Sequence, residues 1–141
     1  PHRVELIERT AKRLGLDIIK TAVADATRYN PKLGEFDCVL CDVPCSGLGV
    51  IRRKPEIKYN ALPCLEELKN IQLSILRNAV KYLKKGGKLL YSTCTLRREE
   101  NEKLVISFQK EYNDLCKVYE HTFMPHKDGT DGFYCALFEK R

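Results

Sequence analysis

Apolar and polar residues alternate along this chain with periods that predict both helices and strands. Residues 64–83 carry apolar side chains at helical spacing, which predicts one helix. Residues 4–14 repeat that pattern and predict another, with Pro1 at a plausible first helical position and Gly15 as its predicted C-cap. A third helix is predicted over residues 97–112, because Glu99, Glu100 and Glu102 lie where the helix dipole favours negative charge.

Shorter apolar segments between and after these helices predict five strands. They cover residues 17–24, 36–42, 88–92, 116–122 and 133–138, and the pair Gly86-Gly87 is expected to end the helix before the third of them. Strands that alternate with helices of this length indicate βαβ units and a mainly parallel sheet, with an antiparallel pair at the carboxyl edge. The predicted fold class is α/β, in a single domain spanning residues 1–141.

The charge and the cysteine content of the chain indicate what kind of partner and which cellular compartment to expect. The chain has a formal charge of +6 and a pI near 9.0, which suits a polyanion such as RNA or DNA. Seven cysteines without a secretory signal predict free thiols in a reducing compartment, and no apolar run is long enough to span a membrane. We therefore expect a cytoplasmic protein without disulfides and without a membrane partner.

The most informative residues are two cysteines that each follow a predicted strand. Cys45 lies in DVPCSG at residues 42–47, directly after the strand that ends at Asp42, and Cys94 lies in STCT at residues 92–95. Ligands of open α/β sheets bind beyond the carboxyl ends of the strands. The two thiols and the Asp42 carboxylate are therefore predicted to converge on one crevice.

Each motif also has a structural interpretation. Cys94 could be a buried cysteine at a strand end, but its hydroxyl neighbours and the predicted helix amino terminus, with Arg97 and Arg98 nearby, favour a reactive thiolate. DVPCSG could be an ordinary turn, although Pro44 holds it rigid and Gly47 allows a ligand to approach. The loop at residues 46–63 could be solvated, yet its basic residues are natural phosphate contacts: Arg52, Arg53, Lys54 and Lys58.

Taken together, residues 42–58 (DVPCSGLGVIRRKPEIK) and 90–95 (LYSTCT) resemble the two signature motifs of RNA cytosine-5 methyltransferases. Supporting similarity lies at residues 1–7, 13–15, 25–27, 99–102 and 129–134, in the order found in the family. The chain most resembles the bacterial RsmB/Sun type, which modifies 16S ribosomal RNA.

The resemblance implies a Rossmann-like fold and a mechanism that uses S-adenosylmethionine as cofactor. Cys94 would be the nucleophile that adds to C6 of a cytosine, and Cys45 would assist product release. Asp42 would contact the base or the cofactor near the methyl donor, and Asp25 would contact the adenosine end of the cofactor. No metal is implied, and 16S rRNA is the implied partner.

The sequence departs from the family at its amino-terminal side. The glycine-rich loop that would hold the methionine end of the cofactor is missing, and so are the first two strands of the fold. We therefore expect the carboxyl-terminal part of a catalytic domain, inactive in isolation. The gap left in its sheet is expected to impair cofactor binding and to favour a homodimer.

Three other functions compete with this interpretation. Cys38 and Cys41 have chelating spacing for zinc, with Cys45 close behind, but side chains three apart on a strand point to opposite faces. A Cys-His hydrolase would pair Cys94 with a histidine, His121 or His126. The last alternative is a non-catalytic RNA-binding remnant of the same fold.

Overall fold

A four-stranded mixed sheet forms the centre of the computed structural model, which describes residues 2–61 and 63–141. The strands are β1 (Phe36–Asp42), β2 (Leu83–Thr93), β3 (Leu115–Phe123) and β4 (Phe133–Lys140), in the spatial order β1-β2-β4-β3. Strand β2 pairs in parallel with β1, whereas β4 is antiparallel to both β2 and β3. The predicted α/β class and the antiparallel pair at the carboxyl edge are confirmed. The prediction of a mainly parallel sheet is wrong, because β4 lies between β2 and β3 and is antiparallel to both, which leaves β1–β2 as the one parallel pair among the described residues.

Within the described residues, four helices accompany the sheet: α1 (His2–Arg13), α2 (Leu65–Val80), α3 (Glu102–Gln109) and the short α4 (Pro125–Asp128). Single 3-10 turns lie at Pro31–Leu33, Leu48–Val50 and Pro55–Lys58. Helices α2 and α3 contact the strands on one face, where their apolar residues close the core. The fully buried side chains there include Leu76, Leu89, Tyr91, Phe108 and Phe138.

The strand predicted at residues 17–24 is wrong. Residues 16–25 form no helix or strand, and most of their side chains are exposed, Ile18 to 84%. A strand needs a neighbour to pair its backbone groups. Within the described residues 2–61 and 63–141, β1 is the edge strand and pairs only with β2. Residues 17–24 therefore have no strand to pair with at the β1 edge.

Two helix boundaries also differ from the prediction. Helix α2 ends at Val80, and Gly86-Gly87 lies inside β2, where the pairing register with β1 shifts between Phe36 and Cys38. The helix predicted from residue 97 begins only at Glu102, because residues 98–101 form turns. The predicted role of Pro1 lies outside the described residues.

Candidate active site

The two cysteine segments leave neighbouring strands at the same edge of the sheet. Asp42, at the end of β1, pairs in register with Ser92 near the end of β2, so the loops that follow emerge side by side. The Sγ atoms of Cys45 and Cys94 lie 3.3 Å apart, within hydrogen-bond distance for sulfur, and both residues are half-buried. The structure brings together the two thiols that the sequence placed in one crevice.

The pair makes the two thiols chemically different. The hydrogen bond from Cys45 lowers the pKa of Cys94 to about 7 and Lys54 adds to this, while burial and the negative charge of Asp42 act in the opposite direction. The same hydrogen bond, together with burial, raises the pKa of Cys45. When the pair loses a proton, these shifts therefore favour Cys94 as the thiolate and Cys45 as the hydrogen-bond donor.

The source of this activation differs from the one predicted. The sequence suggested a helix amino terminus beside Cys94, but α3 begins at Glu102, after several residues of turn. Among charged side chains, Lys54 is the cation that lowers the pKa of Cys94, rather than Arg97 or Arg98. A single sequence gives no sign that the charge of a lysine in the distant loop acts on this thiol.

Backbone contacts fix the Cys45 loop against its neighbours. The amide of Gly49 donates to the carbonyl oxygen of Cys94 (3.0 Å), and the amide of Gly132 donates to the carbonyl oxygen of Gly49 (2.8 Å). A Cβ atom at Gly49 would lie 1.9 Å from the Gly132 carbonyl oxygen. Glycine is therefore required at position 49 for this close approach, which joins three loops around the thiols.

The hydroxyl groups beside Cys94 serve mainly to hold its loop. Ser92 Oγ donates to Asp42 Oδ1 (3.2 Å), and Thr93 Oγ1 donates to Asn101 Oδ1 (2.7 Å). Thr95 Oγ1 lies 2.8 Å from Ser46 Oγ, the hydroxyl that follows Cys45 in sequence. The polar neighbours that suggested a reactive cysteine are thus satisfied by the protein itself.

Sequence reasoning missed a buried acid behind the thiols. Glu100 is fully buried, and its carboxylate accepts hydrogen bonds from Ser46 and Gln72. The sequence assigned it a favourable place in a helix dipole and a place in the family match at residues 99–102, but it lies in the turn before α3. The adjacent glutamates carry no sequence signal that distinguishes the buried Glu100 from the partly exposed Glu99.

A cavity of about 370 Å³ opens beside the free edge of β1. Asp25 and Asp42, the two predicted cofactor contacts, both line it, and Ile75, Ala79 and Pro44 contribute apolar walls. Hydrogen bonds from the hydroxyl (2.7 Å) and the amide (3.0 Å) of Thr27 lower the pKa of Asp25, so the carboxylate is held ionised. Apolar walls with a few convergent polar groups suit a flat heterocycle that carries hydrogen-bond donors.

The basic loop is partly engaged within the protein. Arg52 and Arg53 both pair with Asp131, in the segment before β4, yet both guanidinium groups remain largely exposed. Lys54 is exposed and close enough to Cys94 to lower its pKa, and Lys58 is exposed at the end of the last 3-10 turn. All four predicted phosphate contacts therefore remain exposed to solvent.

The competing sites gain no support from the geometry. Cys38 is exposed and Cys41 is buried, and no cluster of three or more metal-ligating side chains occurs within residues 2–61 and 63–141. His121 lies on β3, in register with Cys135, which in turn pairs with Ser92 on β2. Two strand spacings, roughly 9–10 Å, therefore separate the His121 backbone from that of β2.

In the part of the chain described here, no helix combines the length and apolar character needed to cross a bilayer.

Comparison with known proteins identifies the family. The sequence model of the family described as 16S rRNA methyltransferase RsmB/F matches residues 1–139. The chain belongs to this family. A probable ribosomal RNA small subunit methyltransferase B of Bacillus subtilis is 39% identical to this RsmB/F chain. The match covers 99% of this chain and 36% of the relative.

Solved structures agree with the family assignment. The RsmB/F chain superposes on the protein named PH0851 with a TM-score of 0.93 and 32% identity, covering 99% of this chain and 35% of that one. It superposes on NSun6 from Pyrococcus horikoshii, solved with SFG, with a TM-score of 0.84 and 31% identity, covering 99% and 39%. The chain thus spans about a third of the length of these relatives.

Proposed function

We propose that the protein containing this chain methylates C5 of a cytosine in RNA, with 16S rRNA as the substrate and Cys94 as the covalent nucleophile. The observation that carries the proposal is the thiol pair, with Sγ atoms 3.3 Å apart and a lowered pKa at Cys94. Relatives named as small subunit rRNA methyltransferases support the substrate class. A ribosomal substrate also supports a cytoplasmic location.

The Cys94 thiolate begins the reaction by adding to C6 of the cytosine. The new S–C6 bond moves the π electrons of the ring toward C5 and N3, which makes C5 nucleophilic toward a methyl donor. Because C5 and C6 are inaccessible in a stacked helix, the base must be unstacked or flipped into the site. The basic residues Arg52, Arg53, Lys54 and Lys58 would hold the flanking phosphates.

Cys45 then completes the cycle. Once the Cys94 sulfur is bonded to carbon, it no longer places a negative charge beside Cys45, so one cause of the raised Cys45 pKa disappears. Cys45 can then assist removal of the C5 proton. The electrons of the C–H bond restore the ring double bond and expel Cys94 as thiolate.

The cavity beside β1 fits S-adenosylmethionine as the methyl donor. Asp25 would hold the adenosine end, and Asp42, which lines the cavity and lies within electrostatic reach of Cys94, would lie near the methyl donor. When bound, the cofactor supplies an electrophilic methyl group. The family and the Pyrococcus horikoshii NSun6 structure with SFG support this assignment.

Two substitutions in the whole protein test the roles of the thiols. Cys94→Ala should abolish methylation of an RNA substrate, because it removes the thiolate proposed to add to C6. Cys45→Ala should accumulate a protein–RNA adduct visible on denaturing gels, because product release is blocked. Cys38→Ala, at an exposed cysteine, serves as the control. Turnover by Cys94→Ala would refute the nucleophile, and free product without adduct would refute the release role.

The activity is proposed for the whole protein, and the 141 residues alone are expected to be inactive. They contain no glycine-rich loop that opens a strand-loop-helix unit, so they lack the usual cradle for the methionine end of the cofactor. Titration of S-adenosylmethionine into the 141-residue chain tests this, and micromolar binding by the monomer would contradict it. We also propose that this chain, taken alone, forms a homodimer through the free edge of β1.

A further inference from the structure

The buried acid Glu100 has no part in the proposed chemistry, yet its carboxylate contacts the Cys45 loop directly and the Cys94 loop through Ser46. Its side chain is fully buried, where a carboxylate is costly unless hydrogen bonds compensate the loss of water. Oε2 accepts from the Ser46 amide at 2.9 Å and from Gln72 Nε2 at 3.0 Å, and Oε1 accepts from Ser46 Oγ at 2.5 Å. The carboxylate is thus almost fully used by the protein.

These bonds join the two loops that carry the thiols. Ser46 follows Cys45, and its hydroxyl also lies 2.8 Å from Thr95 Oγ1, beside Cys94. Gln72 Nε2 binds the carbonyl oxygen of Pro44 (2.9 Å), on the other side of Cys45. Glu100 therefore contacts or indirectly holds the residue on each side of Cys45 and one neighbour of Cys94.

We propose that Glu100 is a positioning residue that holds the Cys45 loop against the Cys94 loop and so sets the contact between the two sulfur atoms. Its significance for catalysis rests on the proposed function. Glu100 reaches no substrate itself, since it is fully buried, with Ser46, Gln72 and the Arg97 guanidinium (Nε 4.0 Å from Oε1) around its carboxylate. The role needs hydrogen-bond acceptors at this position, because every group around the carboxylate offers it a donor.

The acceptor requirement distinguishes two substitutions of similar size. Glu100→Met removes both acceptors and leaves the Ser46 amide and Gln72 without their buried partner, so the loop is expected to move away. Glu100→Gln keeps one acceptor for those two donors, and its amide can donate to Ser46 Oγ. Glu99→Gln is the matched control, since Glu99 is adjacent, partly exposed and paired with Lys103 at 2.9 Å.

Thiol chemistry of the whole protein, without RNA or cofactor, gives the readout. Iodoacetamide labelling across pH, followed by peptide mass spectrometry, measures the titration midpoint of Cys94. Diamide, which takes two electrons and two protons from the dithiol, measures how fast the Cys45–Cys94 disulfide forms. Neither assay depends on methylation, so failure here leaves the proposed function standing.

Glu100→Met should slow disulfide formation about tenfold and raise the titration midpoint of Cys94. Glu100→Gln should give a disulfide rate and a midpoint close to those of the wild type, and Glu99→Gln should give wild-type values for both. A folded Glu100→Met protein with wild-type disulfide rate and midpoint would overturn the proposal. If Glu100 had a purely structural role, Glu100→Met would lower the folded fraction of the protein without changing the titration midpoint of Cys94. If Glu100→Met does not fold, Ser46→Ala decides: slower disulfide formation supports the role, and a wild-type rate refutes it.

Discussion

At the residue scale, the main finding is that two identical side chains acquire different protonation. The thiol of Cys45 donates to Cys94, and this single contact shifts the two pKa values in opposite directions. With a pKa of about 7, roughly half of Cys94 is thiolate at neutral pH. Its reactivity should therefore rise as pH increases through 7.

Lys54 provides the residue-scale test of this electrostatic account. Lys54→Ala removes a positive charge that lowers the Cys94 pKa, so fewer thiolates exist at neutral pH. The rate of Cys94 alkylation at pH 7 should fall about twofold, the size expected for a partly screened charge. Lys58→Ala is the control, and equal effects of both substitutions would show a general charge effect instead.

At the element scale, α3 stabilises the sheet from which the Cys94 loop emerges. Phe108 is fully buried on this helix and packs edge-on against Phe138 of β4, with ring centroids 5.5 Å apart. Ile106, on the same helix, is 49% exposed. On α3, Phe108 is therefore a buried position at which packing can be tested, and Ile106 is a more exposed position that serves as its control.

Phe108→Ala should lower the free energy of unfolding by about 3–5 kcal/mol, because it leaves a cavity in the core. Ile106→Ala should cost no more than about 1 kcal/mol. Chemical denaturation monitored by circular dichroism measures both. Similar losses for the two variants would mean that α3 is not packed as described.

Elements bounded by strong local signals were predicted well from the sequence. The range of β1 agrees with prediction, because an apolar run ends at Asp42 and Pro44 follows. The start of α3 could not be predicted, because the preceding turn is held by two hydrogen bonds: Glu100 accepts from the Ser46 amide, and Asn101 donates to the Thr95 carbonyl oxygen. The thiol pair was foreseeable from strand ends and family motifs, whereas Glu100 and Lys54 depend on long-range packing.

At the scale of the whole molecule, the sheet ends on one side at an unpaired strand. Leu40 in β1 is 65% exposed at this edge, beside a cavity that also reaches Asp25. Open edges with apolar side chains favour pairing with another chain. The 141-residue chain should therefore self-associate as its concentration increases.

Leu40→Lys should shift this association toward monomer, because a charged side chain at an edge opposes strand pairing. Size-exclusion chromatography with light scattering measures the mass. Val118→Lys is the control on the opposite edge strand, β3, where Val118 is 51% exposed. A wild-type chain that stays monomeric at high concentration would contradict association through β1.

The contact between Gly49 and Gly132 constrains how this protein can evolve. Because backbone meets backbone there, a side chain at either position must displace the other loop and, with it, the carbonyl group of Cys94. The loops that contain Gly49 and Gly132 are far apart in the chain, but they are therefore expected to evolve together. Across relatives, a change at either glycine should be accompanied by a length change in the other loop.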